Sequence, residues 1–199
     1  MCNEAEPEAA VVRRAQSGDV AAFTELYRRH SRWVFGVALR IVGNAADAED
    51  ITQDTFIQAW KALARFRHDS ELRTWIHRIC VNRCLRVAAK RSGTRTDELP
   101  HDLVSTSPDP ATVAALRDEM AEVQRAIASL PAGQRAALVL REFGGLSYEE
   151  VATVLGISLT AARTRIHRGR LEVVSRLGRP RSAGAAPTPR GSQPQEASA

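Results

Sequence analysis

The sequence predicts an all-α protein with two small helical domains joined by a flexible linker. Hydrophobic residues fill 44% of its 199 positions, whereas aromatic residues fill only 5%. Ala, Leu and Val dominate the apolar residues, which favours helices. We find no convincing alternation of apolar and polar residues that would predict strands. The segment 92–110 is rich in Pro, Asp, Ser and Thr and lacks periodicity, so it is predicted to be a linker.

Composition and periodicity divide the chain into five predicted segments. Its length suffices for one domain or for two small ones. We expect a disordered N-terminus over residues 1–8, a first helical domain over 9–91 and the linker over 92–110. A second helical domain is expected over 111–177, followed by a disordered, low-complexity tail over 178–199.

Turn and cap residues delimit the first helices. A short helix over residues 9–17 is expected to end near Gly18. Asp19 can then cap a long helix that continues to Val42, and Gly43 closes it. The apolar stripe of this long helix is predicted to lie in the core. It includes Phe23, Leu26, Val34, Val37 and Ile41.

The next helix carries a strip of mixed chemistry. Asn44 is predicted to cap this helix, and the acidic residues near its start favour the helix dipole. The strip combines acidic, amide and apolar side chains at spacings i, i+3, i+4 and i+7. It is either a solvated face or a surface for a basic partner helix. Its members are Asp50, Gln53, Asp54 and Ile57.

A polar loop, Arg67–Ser70, leads into a helix with a basic, hydrogen-bonding side. Such a side beside a polar loop suits the phosphates and an unstacked base of single-stranded nucleic acid. The alternative is a generic basic surface. The basic side comprises Arg73, Arg78, Asn82, Arg83 and Arg86.

The stretch 146–171 in the second domain predicts a helix–turn–helix. Ser147 and Glu150 form a capping box, Gly156 ends the first helix and Ser158 caps the second. Outward side chains of the second helix can reach base edges and phosphates in a major groove. The alternative is a solvated amphipathic helix in an ordinary bundle. The outward residues are Thr160, Arg163, Thr164, Arg165, His167, Arg168 and Arg170.

The charge distribution favours a polyanionic partner held at two places. The net charge is +5 overall. Residues 20–91 carry 13 basic and 7 acidic side chains, and residues 92–124 carry 2 and 7. Residues 146–178 carry 5 basic and 3 acidic side chains. Two basic lobes therefore flank an acidic connector, as expected for a nucleic-acid-binding protein.

Other classes of protein find less support. No apolar run approaches membrane-spanning length and the N-terminus is acidic, so we expect a cytoplasmic protein without membrane insertion. The cysteines are too few for a disulfide framework. His77, Cys80 and Cys84 are spaced to share a helix face and suit zinc, but buried apolar cysteines are the commoner explanation. No nucleophile motif or phosphate-cradling Gly loop predicts an enzyme, and no cofactor is expected.

Several motifs in the same order resemble the extracytoplasmic-function (ECF) group of bacterial RNA polymerase sigma factors. They read DAEDITQDTFIQAWKAL, RFRHDSELRTWIHRICVNR, SLPAGQRAALVLREFGGLSYEEVATVLGIS and ARTRIHRGRL. The resemblance covers residues 21–91 and 127–177, about two-thirds of the chain. It implies sigma domains two and four joined by a flexible linker, and a protein that directs core RNA polymerase to promoters. It also implies control by an anti-sigma factor.

The resemblance assigns roles to the residues singled out above. Domain two would dock on the beta-prime clamp helices of the polymerase, and domain four would contact the beta flap. Clamp docking would fall to Asp50, Gln53, Asp54 and Ile57. The melted non-template strand of the minus-ten element would meet Arg67, His68, Asp69, Ser70, Arg78, Asn82 and Arg83. The minus-thirty-five duplex would be read by Thr160, Arg163, Thr164, Arg165, His167 and Arg168.

Two departures from the family pattern affect these expectations. Many relatives have Gly where this chain has His68, which changes the expected shape of the loop. Thr160-Ala161-Ala162 replaces a common Gly-Thr-Val-like run, so a backbone phosphate contact is lost or moves to Thr160.

The competing hypothesis is a conventional helix–turn–helix repressor or activator. Such a protein binds duplex DNA alone and has no need of the acidic strip.

Overall fold

The computed structural model describes residues 6–92 and 110–178, and this part of the chain contains helices and turns without strands. The predicted all-α class is therefore confirmed. Residues 1–5, 93–109 and 179–199 lie outside the described residues, and with them most of the predicted linker and tail. The helices are α1 (Glu8–Gln16), α2 (Val20–Val42), α3 (Ala45–Leu63), α4 (Leu72–Ser92), α5 (Pro110–Ala128), α6 (Ala132–Glu142), α7 (Tyr148–Leu155) and α8 (Leu159–Leu177).

Short-range capping fixes the helix ends that the sequence predicts. The Asp19 side chain accepts a hydrogen bond from the Ala22 amide at the start of α2. Gly43 ends α2 in the left-handed conformation at φ 74°, and Asn44 caps α3 through the Asp47 amide. These bonds satisfy backbone groups that have no partner inside the helix. They turn the chain sharply between α2 and α3, which pack side by side.

Two predicted boundaries differ from the structure. The expected disordered segment 1–8 extends too far, because Glu6 pairs with Arg14 at 2.8 Å and α1 already begins at Glu8. Its fixed φ predicts Pro131 as the first residue of α6, but it occupies the N-cap position instead. Its ψ of 138° is extended, so the helix begins at Ala132.

The helices form two groups. In the N-terminal group α2 packs on α1, α3 and α4, and α3 packs on α4. In the C-terminal group α8 packs on α5, α6 and α7. Buried apolar residues of both groups belong to one continuous cluster, with Leu26, Val34 and Cys80 in the first group and Leu140 and Ile166 in the second. The two groups are therefore packed directly against each other.

Polar contacts between α4 and α7 reinforce this packing. Thr74 Oγ1 donates to Glu150 Oε1 at 2.7 Å, and Arg73 Nη2 donates to the backbone oxygen of Gly144. Glu150 is also the acidic partner of the α7 capping box. Hydrogen bonds from the Ser147 amide and, more weakly, from Thr74 lower the pKa of Glu150 below its ordinary value. The carboxylate therefore stabilises both the start of α7 and the contact between the groups.

Arginines add a second contact between the groups. Arg135 on α6 donates to the backbone oxygens of Ile41 at 2.8 Å and Leu130 at 2.9 Å. Burial lowers the pKa of Arg135 below its ordinary value. The Arg40 guanidinium lies 4.3 Å from the centre of the Phe143 ring. One side chain from each group thus reaches across the interface.

Candidate docking and nucleic-acid interfaces

The predicted helix–turn–helix is formed by α7 and α8. Ser147 Oγ accepts from the Glu150 amide at 3.1 Å, and Glu150 Oε2 accepts from the Ser147 amide at 2.8 Å. Gly156 takes φ 63° at the turn, and Ser158 Oγ accepts from the Ala161 amide at 3.2 Å. The capping box, the glycine turn and the second cap are therefore all confirmed.

The outer face of α8 presents most of the predicted reading residues together. Ala162, Ile166 and Gly169 are buried against the rest of the C-terminal group. Positions spaced i, i+3, i+4, i+7 and i+8 share the opposite side of the helix. Every residue at those positions is exposed. They are Thr160, Arg163, Thr164, His167 and Arg168.

Arg165 does not share this face. It is half-buried, and its guanidinium lies against Gly133 near the start of α6. A Cβ atom added at Gly133 would lie 3.1 Å from Arg165 Nη1. The helical wheel places Arg165 well to the side of Arg163 and His167, which explains why it meets α6. Its grouping with the reading residues is a sequence-based expectation that this geometry does not support.

Arg163 is held only loosely. Its Nη2 lies 3.8 Å from Glu149 Oε1, and both side chains are more than 60% exposed. An exposed ion pair of this kind is worth little and is screened by salt. A phosphate or a guanine edge would therefore compete readily for this guanidinium.

The acidic strip on α3 is only partly free. Asp50, Gln53 and Ile57 are exposed, but Asp54 Oδ2 pairs with Arg83 Nη2 of α4 at 2.7 Å. The sequence assigns Asp54 and Arg83 to two different surfaces, whereas the structure joins them. This pair links the acidic strip to the basic side of α4.

An apolar groove beside the strip is a feature that sequence reasoning missed. It is an open groove of about 500 Å³ between α2 and α3. Ile57 is 51% exposed and Trp60 36% exposed at its rim. The i, i+4 pairing of Phe56 and Trp60 was a signal for it, although the pattern alone also fits a core. Its lining is Val20, Phe23, Tyr27, Gln53, Phe56, Ile57 and Trp60.

The loop between α3 and α4 presents its side chains to solvent. Arg67, His68 and Asp69 are exposed, and Ser70 is half-buried. His68 takes φ 59°, the left-handed conformation that residues other than glycine rarely adopt. Its ring lies 4.7 Å, centre to centre, from that of Phe66. Glycine adopts this left-handed backbone without strain, so the structure agrees with the sequence-based expectation that His68 departs from a glycine pattern.

The basic side of α4 continues from this loop. Arg78 and Asn82 are exposed, and Arg83 is half-buried beside Asp54. The Phe66 and Trp75 rings lie 5.1 Å apart between the loop and the helix. Phe66 is buried, so its ring supports the loop from within. The exposed guanidinium and amide groups suit phosphate contacts with a single strand.

His77, Cys80 and Cys84 lie on the inner side of α4 and are fully buried. The described residues contain no group of three or more His, Cys, Asp or Glu side chains arranged to hold a metal ion. The two sulfur atoms are 4.0 Å apart. Their hydrogen bond and burial raise the pKa of the Cys84 thiol well above its ordinary value. Both cysteines thus resemble small apolar core residues.

Burial of His77 predicts acid sensitivity. Neither ring nitrogen has a hydrogen-bond partner among the described residues, and burial, aided by the charge of Arg73, lowers the His77 pKa from 6.5 to about 2. The imidazole of His77 therefore binds a proton more readily in the unfolded chain than in the folded chain. The free energy of unfolding consequently falls as the pH drops below about 6.5. The expected loss is about 2 kcal/mol at pH 5.

Urea unfolding at pH 7.5 and pH 5.0 measures this effect. In His77→Leu the pH-dependent loss should shrink by about 2 kcal/mol. His30, whose pKa burial also lowers, is retained in both proteins and serves as the internal reference. An equal pH dependence in the two proteins would contradict the assignment.

Two family models match the chain, one in each group of helices. A family model described as Sigma-70 region 2 matches residues 26–94, and one described as Sigma-70, region 4 matches residues 120–173. The RNA polymerase sigma-H factor of Pseudomonas aeruginosa is 38% identical over 175 residues, 83% of this chain and 91% of that protein. The ECF RNA polymerase sigma factor SigE of Mycolicibacterium smegmatis is 38% identical over 163 residues, 79% of this chain. The chain belongs to the ECF sigma factors.

This ECF sigma factor spans 63% of the length of the SigE relative. A solved structure of CnrH in complex with the cytosolic domain of CnrY is 30% identical, with a TM-score of 0.67. The similarity covers 85% of this chain and 96% of CnrH. Among its described residues, every helix of the ECF sigma factor is too short or too polar to cross a bilayer.

Proposed function

We propose that this ECF sigma factor binds core RNA polymerase, directs it to specific promoters and helps to open the DNA. The observation that carries the proposal is the presence of three different exposed surfaces on one chain. These are the acidic strip with its apolar groove, the loop with the basic side of α4, and the outer face of α8. A repressor that binds duplex DNA alone uses only the last of them.

The polymerase would dock on α3. Asp50 offers a free carboxylate, while Ile57 and Trp60 offer apolar area at the rim of the groove. A helix with basic and apolar side chains complements this combination, because apolar anchors supply affinity and charge complementarity supplies orientation. We assign this surface to the beta-prime clamp helices. The beta flap would contact the C-terminal group.

Promoter DNA would be read in two forms. The exposed loop residues and α4 would capture a base of the melted non-template strand at the minus-ten element. The outer face of α8 would read the minus-thirty-five duplex through its major groove. The polymerase would catalyse RNA synthesis, since binding and orientation of DNA alone explain the surfaces on this chain.

The two reading surfaces must separate for this function. The minus-ten and minus-thirty-five elements lie roughly 25 base pairs apart, which is about 85 Å along the duplex. In the structure, Thr74 at the start of α4 contacts Glu150, whose neighbour Glu149 lies 3.8 Å from Arg163. The packed arrangement is therefore a closed state that must open on the promoter. We infer that the segments 9–91 and 111–177 move as two domains about the linker 92–110.

An anti-sigma factor is the proposed regulator. CnrH was solved with the cytosolic domain of CnrY, and it shares both the fold and the span of this chain. An anti-sigma factor would cover the apolar groove or the reading faces of this chain. We propose a cytoplasmic location, because promoter DNA and core RNA polymerase lie in that compartment.

Run-off transcription with bacterial core polymerase and a panel of promoters tests the reading face. Arg163→Ala/Arg168→Ala should reduce binding to the minus-thirty-five duplex by roughly 30-fold or more, because each base or phosphate contact contributes about 1–3 kcal/mol. Specific transcripts should fall in parallel. Arg176→Ala is the matched control, since Arg176 is exposed on the same helix and pairs with Glu172 within it. Equal loss in the control and the double variant would contradict the assignment.

A further inference from the structure

Gln16, the last residue of α1, binds the backbone segment that leads into the loop 67–70. Its Nε2 donates to the backbone oxygens of Leu63 at 3.1 Å and of Phe66 at 2.8 Å. Leu63 is the last residue of α3, and its carbonyl oxygen also accepts from the Phe66 amide at 2.9 Å in the turn that follows. One half-buried amide therefore fixes the backbone that leads from α3 into the loop.

The same side chain also reaches the strained residue of the loop. Gln16 Oε1 lies 3.4 Å from His68 Nε2. His68 holds φ 59°, and a backbone of this kind persists in a residue other than glycine only where surrounding contacts hold it. The Phe66 ring contacts His68, and the Phe66 carbonyl is bound by Gln16. Gln16 thus supports His68 both directly and through Phe66.

We propose that Gln16 is a positioning residue for promoter reading, which holds the loop in the shape that selects a base of the melted strand. Arg67, His68 and Asp69 present exposed side chains, whereas Gln16 binds the backbone before them. A fixed backbone holds these side chains in position to contact one base edge, whereas a mobile backbone would let them contact several different bases. The proposal rests on the proposed function of the loop.

The test uses Gln16→Met, which keeps the length of the side chain and removes its hydrogen-bonding groups. Binding of the holoenzyme is measured to single-stranded minus-ten oligonucleotides in which each base is varied in turn. We expect the ratio between the preferred base and its competitors to fall roughly fivefold, the worth of about one hydrogen bond. Binding to the minus-thirty-five duplex should not change. Arg13→Ala, an exposed position on α1, is the control.

His68→Gly separates positioning from general support. Glycine adopts the left-handed backbone without strain, so it needs less bracing. The loss of base discrimination caused by Gln16→Met should therefore be smaller in the His68→Gly background. A merely structural role predicts the same effect in both backgrounds and an equal loss of binding for every base. Either of those results would overturn the proposal.

A loop variant distinguishes failure of this proposal from failure of the proposed function. Asp69→Ala changes an exposed loop side chain and leaves the Gln16 contacts in place. If Asp69→Ala alters base preference and Gln16→Met does not, the positioning role is wrong and loop reading stands. If neither variant alters base preference, loop reading is itself contradicted, and the positioning role falls with it.

Discussion

Ile57→Asp is expected to lower the affinity for core polymerase by about 100-fold or more. Ile57 is 51% exposed at the rim of the apolar groove, so the fold does not depend on it. In a docked complex the aspartate would replace an apolar anchor with a charge that loses its water. Truncating an apolar residue that is a hot spot of an interface costs about 2 kcal/mol or more, and burying an unpaired charge adds to this.

Fluorescence anisotropy of the labelled protein, titrated with core polymerase, measures this affinity directly. Gln58→Asp is the matched control, because it introduces the same charge at the next, exposed position of α3. The control should retain affinity within a few fold. Helical content and the unfolding midpoint should be unchanged in both variants. Unaltered affinity in Ile57→Asp would mean that the polymerase binds elsewhere.

Locking the two groups of helices together is expected to abolish promoter-directed transcription almost completely. Thr74 and Glu150 are in contact across the interface at 2.7 Å between their oxygens. A short bifunctional thiol reagent bridging Thr74→Cys and Glu150→Cys would hold α4 on α7. The loop and α8 then cannot reach promoter elements about 85 Å apart.

The length of the bridge supplies the control. The same two cysteines joined by a long, flexible linker should recover transcription, because the groups can then separate. Each single cysteine variant, treated with the short reagent, corrects for loss of the capping box and for modification alone. Cys2→Ser removes a competing thiol outside the described residues. Full activity of the short-bridged protein would show that separation is not required.

Local chemistry made the helices predictable from the sequence. The caps at Asp19, Asn44, Ser147 and Ser158 use side chains within three residues of the amides that they bind. Such contacts depend on short-range order, so sequence spacing specifies them. The outer face of α8 followed from helical periodicity in the same way, with Arg165 as the exception. Arg165 meets Gly133, a contact that no local pattern encodes.

Long-range contacts could not be predicted from the sequence. The Asp54–Arg83 ion pair, the Thr74–Glu150 bond and the Gln16 contacts join residues that are far apart in the chain. The apolar groove was hidden for a related reason. Phe23 fits a core stripe by spacing, but α2 and α3 leave one side of it open. Only the packing of the two helices decides which apolar residues remain exposed.

The most direct measurement is promoter opening followed by 2-aminopurine fluorescence. The fluorescent base is placed in the minus-ten element, where stacking quenches it in duplex DNA. Core polymerase with this protein should raise the fluorescence, whereas either component alone should leave it quenched. Tight binding of the protein alone to the duplex, with no opening on addition of core polymerase, would contradict a sigma factor and indicate a repressor.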